Sequence, residues 1–343
     1  MTLDAGTTPG VLSPDEALSL ASVDPVLAAQ LNAGMAEVEA RLLVSASSED
    51  PFIADAATHL AAAGGKRFRP LLVLLASHFG DPAARGVVPA GVVVELTHLA
   101  TLYHDDVMDE APRRRGADSA NERWGNSVAI LTGDYLFARA SEILADLGPE
   151  AVRLQAQTFQ RLCSGQIRET IGPAPGADPI DHHLRVLGDK TGSLIATSAR
   201  FGAMLAGADP TVTEALTRFG ERIGVAFQLA DDLVDITSTG AASGKTPGTD
   251  LREGVLTLAG LFALESPVSA DARLQDLLRR PLVDDVEHAE ALDLLRAHSA
   301  VSQARAEARR WADEARDQLA PLPDVPSRAA LLRLCDYVVG RTS

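Results

Sequence analysis

The sequence predicts an all-α fold, and three observations lead to that prediction. Apolar residues recur at helical spacing along most of the chain, as in Val26, Leu27, Leu31, Met35 and Val38. The chain shows no alternation of strand and helix patterns, no internal repeat of about 20–50 residues and no low-complexity block. Apolar residues make up 46% of the 343 residues, which is enough for a substantial core.

The predicted elements follow from that periodicity. Residues 1–24 lack it and are rich in Gly, Thr, Pro and Ser, so we expect a loose leader before a single helical domain at 25–343. Pro70 fits the first turn of a helix, and the glycines, serine and threonine of 188–193 predict a kink or a close ligand approach. The predicted helices are 25–45, 51–63, 70–79, 87–109, 127–147, 149–171, 180–206, 211–236, 255–264, 270–280, 285–297, 299–318 and 325–341.

Composition excludes several classes of protein. The net charge of −16 argues against non-specific binding to nucleic acid or to an anionic membrane. Cys163 and Cys335 cannot form a disulfide framework, so a reducing compartment is expected. The N-terminus lacks a signal-peptide pattern, and no apolar run approaches the roughly 18 residues of a membrane span. We therefore expect a cytoplasmic protein with no membrane span and no nucleic-acid partner.

Two aspartate clusters carry the strongest chemical signal. Asp105 and Asp109 stand four residues apart, as do Asp231 and Asp235, so each pair shares one face of a helix. Like charges at that spacing destabilise a helix unless a cation lies between them, and carboxylates are ligands that Mg²⁺ prefers together with waters and phosphates. The pattern predicts a Mg²⁺ site for a diphosphate ester. The candidate catalytic residues are Asp105, Asp106, Asp109, Asp231, Asp232, Asp235 and Lys190.

Several polar side chains near these clusters are candidates for anion binding. Lys66 and Arg69 precede a helix start and predict either an anion clamp or a solvated basic turn. Arginines 113–115 directly follow the first cluster, where guanidinium groups suit phosphate recognition. His98 lies two turns before Asp105 on the same face. Lys245 lies in a Gly/Ser/Thr loop, either a lid over the site or an ordinary surface loop.

Taken in order, these stretches resemble the trans-isoprenyl diphosphate synthases, or polyprenyl synthetases. The resemblance spans about residues 64–258. It rests on Gly64-Gly65-Lys66-Arg67-Phe68-Arg69-Pro70, His104-Asp105-Asp106-Val107-Met108-Asp109, Arg114-Arg115-Gly116, Lys190-Thr191, Phe227-Gln228-Leu229-Ala230-Asp231-Asp232-Leu233-Val234-Asp235 and Lys245 with Asp250-Leu251. The sequence differs from the family at Val255 and Ala259, where a lysine and a proline are common.

The resemblance implies a homodimer of helical subunits, each a bundle around a deep central cavity. It implies three Mg²⁺ ions bound through Asp105, Asp109 and Asp231, with Asp106 and Asp235 acting indirectly. Arg114, Lys190, Thr191, Gln228 and Lys245 would contact an allylic diphosphate. Lys66, Arg69, His98 and Arg115 would hold isopentenyl diphosphate.

The implied reaction is head-to-tail condensation of isopentenyl diphosphate onto the allylic diphosphate. Ala100 and Thr101 lie just over one turn before Asp105, and in this family bulky side chains there stop the growing chain. Because both are small, we expect a product longer than C15, with C30–C45 favoured over a C20 product.

Other readings remain open at the level of sequence. A class I terpene cyclase shares the first motif, although its second metal site usually mixes Asn, Ser or Thr with acids. A regulatory subunit of a heteromeric synthase typically lacks intact aspartate motifs. A plain acidic helical binding protein would show no turnover.

Overall fold

The structure is a computed structural model that describes residues 24–238 and 247–341. Its architecture confirms the predicted all-α fold. The predicted leader lies outside the described residues except for Asp24, and so does Lys245. No helix in the two described ranges is both long enough and apolar enough to span a membrane.

The helices follow one another with short connections. They are α1 (Pro25–Ala46), α2 (Pro51–Ala62), α3 (Phe68–Ser77), α4 (Val87–Met108), α5 (Ala120–Trp124), α6 (Asn126–Leu147), α7 (Pro149–Ile171), α8 (Pro179–Leu187), α9 (Ser193–Leu205), α10 (Pro210–Thr237), α11 (Thr249–Glu253), α12 (Leu258–Leu264), α13 (Ala272–Leu277), α14 (Asp285–Ala297), α15 (Ser299–Leu319) and α16 (Pro326–Gly340). A short antiparallel hairpin, β1 (Arg113–Arg114) and β2 (Ala117–Asp118), lies between α4 and α5.

Aspartate followed by proline begins several of these helices. Asp24, Asp50, Asp178 and Asp209 each accept hydrogen bonds from backbone amides of the first turn, and a proline stands at the first helical position. The carboxylate satisfies amides that have no partner within the helix, and proline has the φ angle that the helix needs. This local chemistry fixes where α1, α2, α8 and α10 start.

The predicted helix at 180–206 is interrupted. Helix α8 ends at Leu187, a π-helical turn follows at Gly188–Gly192, and α9 continues from Ser193. The turn lies against α7, where a Cβ on Gly165 would come 2.9 Å from the Lys190 backbone nitrogen. Gly165 therefore allows α7 to approach the turn that carries Lys190 and Thr191.

Helices α4 and α10 are the two that carry the aspartate clusters, and both are deeply packed. Helix α4 packs along α6, α3 and α1, whereas α10 packs along α15 and α9. The main apolar core includes residues of both helices, and a smaller core joins the second half of α10 to α12–α15. The aspartates therefore project from the ends of two rigid helices.

Candidate active site

Both aspartate clusters lie at the carboxyl ends of long helices. Asp105 falls in the last turn of α4 and Asp109 caps it, whereas Asp231 and Asp235 fall in the last two turns of α10. The carboxyl end of a helix carries a partial negative charge, which adds to the charge of the aspartates. Each of these two helix ends therefore favours the binding of a cation.

Lys190 lies between α7 and the first cluster. Its Nζ donates to Glu169 Oε2 over 2.5 Å, and it interacts electrostatically with Asp105 and Asp109. Burial raises the pKa of Asp105 to about 6, although Lys190 and Arg114 act in the opposite direction. A cation closer to Asp105 would therefore stabilise the charged form of this carboxylate.

A hydrogen-bonded chain links the π turn to the second cluster. Thr191 Oγ1 donates to Gln228 Oε1 over 3.2 Å, and Gln228 Nε2 donates to Asp232 Oδ1 over 3.0 Å. Burial raises the pKa of Asp232 well above its usual value, and the neighbouring carboxylate of Asp250 adds to the effect. Asp235 Oδ2 accepts from the Asp250 backbone amide over 3.4 Å. The second cluster is thus a concentrated set of carboxylates.

A cavity of about 580 Å³ is lined by Asp105 of the first cluster, whereas the aspartates of the second cluster do not line it and are represented only by Gln228, which donates to Asp232. Asp105, Lys190, Thr191 and Gln228 lie at its polar end, and Arg69 and His98 line it as well. Thr101 also lines this cavity, but Ala100 is fully buried and does not. The rest of the wall is mainly apolar, from Leu102, Val107, Met108, Ile130, Phe137, Phe159, Leu162 and Ile167.

Of the predicted clamp, Arg69 lines the cavity beside His98 and near Arg115, whereas Lys66 does not line it. Burial, together with the charge of Arg115 and against the opposite effect of Glu95, lowers the pKa of Arg69 to about 10. Arg69 Nε is buried and has no hydrogen-bond partner in the described parts of the chain. Burial and the nearby arginines hold the pKa of His98 well below its usual value. Such a pocket suits an anion that would accept from Arg69.

A buried ion network, which the sequence did not reveal, supports this pocket. Arg67 is 3% exposed and donates to Glu95 Oε1 over 2.9 Å and to Glu39. Arg115 Nη1 donates to Leu60 O over 2.9 Å, and its Nη2 lies 3.6 Å from Glu95. The network holds the turn before α3 in place. Arg115 therefore has two positions in the site: it holds the wall of the pocket through Leu60 and Glu95, and it lies near His98.

Two further arginines pair with motif aspartates. Arg114 Nε donates to Asp106 Oδ1 over 2.6 Å, so the side chain predicted to bind diphosphate also neutralises a buried carboxylate. Arg341, near the end of the chain, donates to Asp231 Oδ1 and lies 5.1 Å from the Phe227 ring centroid. Lys66 Nζ lies 5.3 Å from the same centroid. Sequence reasoning missed Arg341 because no motif surrounds it.

The donor set fits a hard divalent cation shared with a substrate. Within residues 24–238 and 247–341, no three His, Cys, Asp or Glu side chains form a ready-made metal cage. Mg²⁺ commonly takes one or two carboxylates and completes its shell with waters and phosphate oxygens. The paired carboxylates of Asp105 and Asp109, which interact with Lys190, suit this kind of coordination.

The fold and the site define a helical protein with an acidic metal-type site, a basic anion pocket and an apolar cavity between them. Residues 50–295 match the family model described as Polyprenyl synthetase. The chain is 51% identical over 319 residues to nonaprenyl diphosphate synthase of Mycobacterium tuberculosis, covering 93% of this chain and 95% of that protein. It belongs to the polyprenyl synthetase family.

Two solved structures show the same architecture. A geranylgeranyl pyrophosphate synthase from Corynebacterium glutamicum, complexed with calcium and isoprenyl diphosphate, superposes with a TM-score of 0.84 at 48% identity, over 93% of this chain and 98% of that one. A decaprenyl diphosphate synthase from Rhodobacter capsulatus gives 0.85 at 34% identity, over 95% and 99%. These relatives confirm that the chain is a prenyltransferase of the diphosphate synthase class.

Proposed function

We propose that this chain condenses isopentenyl diphosphate head-to-tail onto an allylic diphosphate. One observation carries the proposal: a single cavity is lined by Arg69 and His98 as well as by Asp105, Lys190 and Gln228. Two anion-binding regions at one cavity suit two diphosphate substrates, and the apolar wall suits a prenyl tail. A cyclase that binds one diphosphate would have no use for the second region.

The metal in this proposal is Mg²⁺, with three ions in each site. Asp105, Asp109 and Asp231 would hold them, while Asp106 and Asp235 would act through neighbours. When bound, Mg²⁺ supplies positive charge that stabilises a departing diphosphate. Support comes from the oxygen donors of the two clusters and from the calcium in the C. glutamicum complex.

The side chains have distinct tasks in the reaction. Lys190, Arg114, Thr191, Gln228 and Lys245 bind the allylic diphosphate, and Lys66, Arg69, His98 and Arg115 hold isopentenyl diphosphate. The allylic C–O bond breaks, and its electron pair leaves with the diphosphate. The alkene of isopentenyl diphosphate then attacks the allylic carbon, and loss of a proton to the departing diphosphate restores an alkene. The apolar walls exclude water that would trap the cation.

The product in this proposal is a long all-trans prenyl diphosphate of C30–C45. The length named for the M. tuberculosis relative, nonaprenyl, supports the upper end of that range. A C20 product is the second candidate, because the C. glutamicum structure is named as a geranylgeranyl pyrophosphate synthase.

We also propose a homodimer, as the resemblance of the motifs implies, and sedimentation velocity would test it.

The test is incubation of the purified chain with farnesyl diphosphate, isopentenyl diphosphate and Mg²⁺, followed by mass spectrometry of the dephosphorylated products. We expect prenyl alcohols longer than C15, with none formed when isopentenyl diphosphate or Mg²⁺ is omitted.

Asp231→Asn should lower turnover at least about 100-fold, because loss of electrostatic stabilisation on this scale is typical of such sites. Asp146→Asn, an exposed change on α6, is the control. Cyclic hydrocarbons formed from farnesyl diphosphate alone would contradict the proposal.

A further inference from the structure

Helix α14 holds the end of the helix that carries the second aspartate cluster. Arg296 Nε donates to Ile236 O over 2.7 Å, and its Nη2 donates to Ser238 O over 2.7 Å. The last carbonyls of a helix have no partner within it, and a cation at that end also complements the helix dipole. Arg296 therefore fixes the last turn of α10 directly after Asp235.

The same face of α14 holds the turn that leads into α11. His288 lies two turns before Arg296 and is 5% exposed. Its Nε2 donates to Gly248 O over 2.8 Å, and the Gly248 amide donates to Asp235 O over 3.0 Å. A Cβ on Gly248 would come 2.8 Å from His288 Nε2, so the imidazole and this turn are in direct contact. His288 is thus joined to the second cluster through one glycine.

Helix α11 in turn brings a further carboxylate to the cluster. The Asp250 amide donates to Asp235 Oδ2 over 3.4 Å. Burial raises the pKa of Asp232, and the nearby carboxylate of Asp250 adds to the effect. On the other side of α11, Arg252 Nη2 donates to Asp285 Oδ1 at the start of α14 over 2.6 Å. These contacts tie α11 both to α10 and to α14.

We infer that Arg296 and His288 are positioning residues for the second aspartate cluster. Because like charges repel, carboxylates gathered without a metal separate unless the backbone on both sides is held. Arg296 holds the end of α10 and His288 holds the turn before α11, so α14 sets the spacing between Asp235 and Asp250. The inference rests on the proposed function, in which this cluster binds Mg²⁺ together with the allylic diphosphate.

A matched pair of arginines tests the first contact. Arg280 also makes two hydrogen bonds, of 2.8 and 2.7 Å, but to Glu287 of α14 rather than to α10. Calorimetry gives the dissociation constant of inorganic pyrophosphate in the presence of Mg²⁺, without turnover. Arg296→Met should raise this constant at least about fivefold, which corresponds to about 1 kcal/mol, and Arg296→Lys should raise it less. Arg280→Met should stay within about twofold of the wild type.

A second set of variants tests the imidazole. His288→Leu should weaken the same binding at least about fivefold, and His288→Gln, which keeps an N–H donor, should restore it. Leu274→Ala, a buried change on α13 in the same smaller core, is the control for lost stability. It should lower Tm without changing the dissociation constant. If His288 only stabilised the fold, His288→Leu would behave like Leu274→Ala.

Steady-state kinetics separate positioning from general damage. In Arg296→Met and His288→Leu the KM for the allylic diphosphate should rise. The KM for isopentenyl diphosphate should stay within about twofold, because Arg69 and His98 belong to α3 and α4. Dissociation constants equal to those of the controls, or an equal rise in both KM values, would overturn the inference. A wild-type chain that binds Mg²⁺ and pyrophosphate but forms no prenyl product would refute the proposed function alone, since the binding comparison needs no turnover.

Discussion

Asp105 is a carboxylate whose surroundings oppose its charge. Burial raises its pKa to about 6 from a usual value of 3.8, so the folded protein binds this proton more tightly than the unfolded chain does. The free energy of unfolding therefore falls as pH rises from about 4 through about 6, and the full cost is present above pH 6.

We predict that Asp105→Asn in metal-free buffer raises the free energy of unfolding by about 2 kcal/mol at pH 8. The gain should shrink as pH falls through about 6 and vanish below about 4, because the wild-type carboxyl is then neutral. Urea unfolding at several pH values measures it, with Asp146→Asn as the matched control. A gain that is the same at pH 4 and pH 8 would count against this account of the site.

We propose that Arg341 and a divalent cation compete for the carboxylate of Asp231. The Arg341 guanidinium donates to Asp231, and its side chain is 4% exposed. A charge-assisted hydrogen bond contributes about 1.5 kcal/mol, which corresponds to about tenfold in affinity. Arg341→Gln should therefore lower the Mg²⁺ concentration for half-maximal turnover by up to about tenfold. The control is Arg333→Gln, an exposed position on α16, the helix that Arg341 caps. An increased Mg²⁺ requirement in Arg341→Gln would show that Arg341 helps to hold the substrate instead.

Single residues also show what a sequence can reveal about this site. Short local patterns singled out the aspartate pairs and Lys66, Arg69 and Lys190 for their chemistry, and of these Asp105, Arg69 and Lys190 line the cavity. Arg67, Glu39 and Glu95 were not singled out, since their pairing joins three helices far apart in sequence. The indirect placement of Asp106 is consistent with its buried pair with Arg114, which local spacing alone does not predict.

At the scale of elements, the π turn at Gly188–Gly192 determines where Lys190 and Thr191 point. It is held from behind by Arg161 and Arg168, which both donate to Asp189. Gly165 of α7 lies directly against it, with the Asp189 Cβ 3.0 Å from where a new Cβ would stand. The contact leaves no room for a side chain.

Gly165→Ala should therefore displace the turn and move Lys190 relative to Asp105. Overpacking of this kind costs about 1–3 kcal/mol of stability, and a displacement of about 1 Å in a catalytic group can cost about 100-fold in rate. Turnover and thermal unfolding measured together test this. Gly207→Ala, in a positive-φ position away from the cavity, controls for general loss of stability. Loss of stability with full turnover would show that the contact is structural only.

Helices were easier to predict than the elements between them. Asp-Pro pairs mark the starts of α1, α2, α8 and α10, and long apolar periodicity marks α4, α6 and α7, whose predicted bounds differ from the structure by at most one residue. The hairpin at β1 and β2 was missed because two-residue strands show no periodicity. The break within 180–206 was predictable from its composition, but its π-helical form depends on packing against α7.

The cavity itself is a property of the whole molecule. Its walls come from α3, α4, α6, α7, α10 and the π turn, which no local pattern could bring together. The family resemblance supplied the idea of a central cavity, whereas the meeting of Phe137 and Phe159 in its wall follows only from tertiary packing. Ala100 shows the difference: helical spacing alone placed it with Thr101, but packing against α6 leaves it fully buried.

The arrangement of charge across the molecule predicts how ligands stabilise it. Because no three acidic, histidine or cysteine side chains of the described residues form a preformed cage, Mg²⁺ alone has too few protein ligands to bind tightly. Inorganic pyrophosphate alone meets the repulsion of two carboxylate clusters. Bound together, Mg²⁺ would neutralise the carboxylates and pyrophosphate would supply further oxygen ligands to the metal. At about 100 times the dissociation constant, such binding adds about 2.7 kcal/mol of stability.

The midpoint temperature of thermal unfolding should therefore rise by about 5 °C with Mg²⁺ and pyrophosphate present together. With either one alone it should rise by less than about 2 °C. Asp231→Asn should abolish the joint shift, whereas Asp146→Asn should keep it, because Asp231 belongs to one of the two aspartate clusters and Asp146 belongs to neither. Equal shifts with Mg²⁺ alone and with the pair would mean that the protein holds its metal without substrate. In that case the two clusters would form a closed metal site, and the cooperative dependence of metal on diphosphate would have to be abandoned.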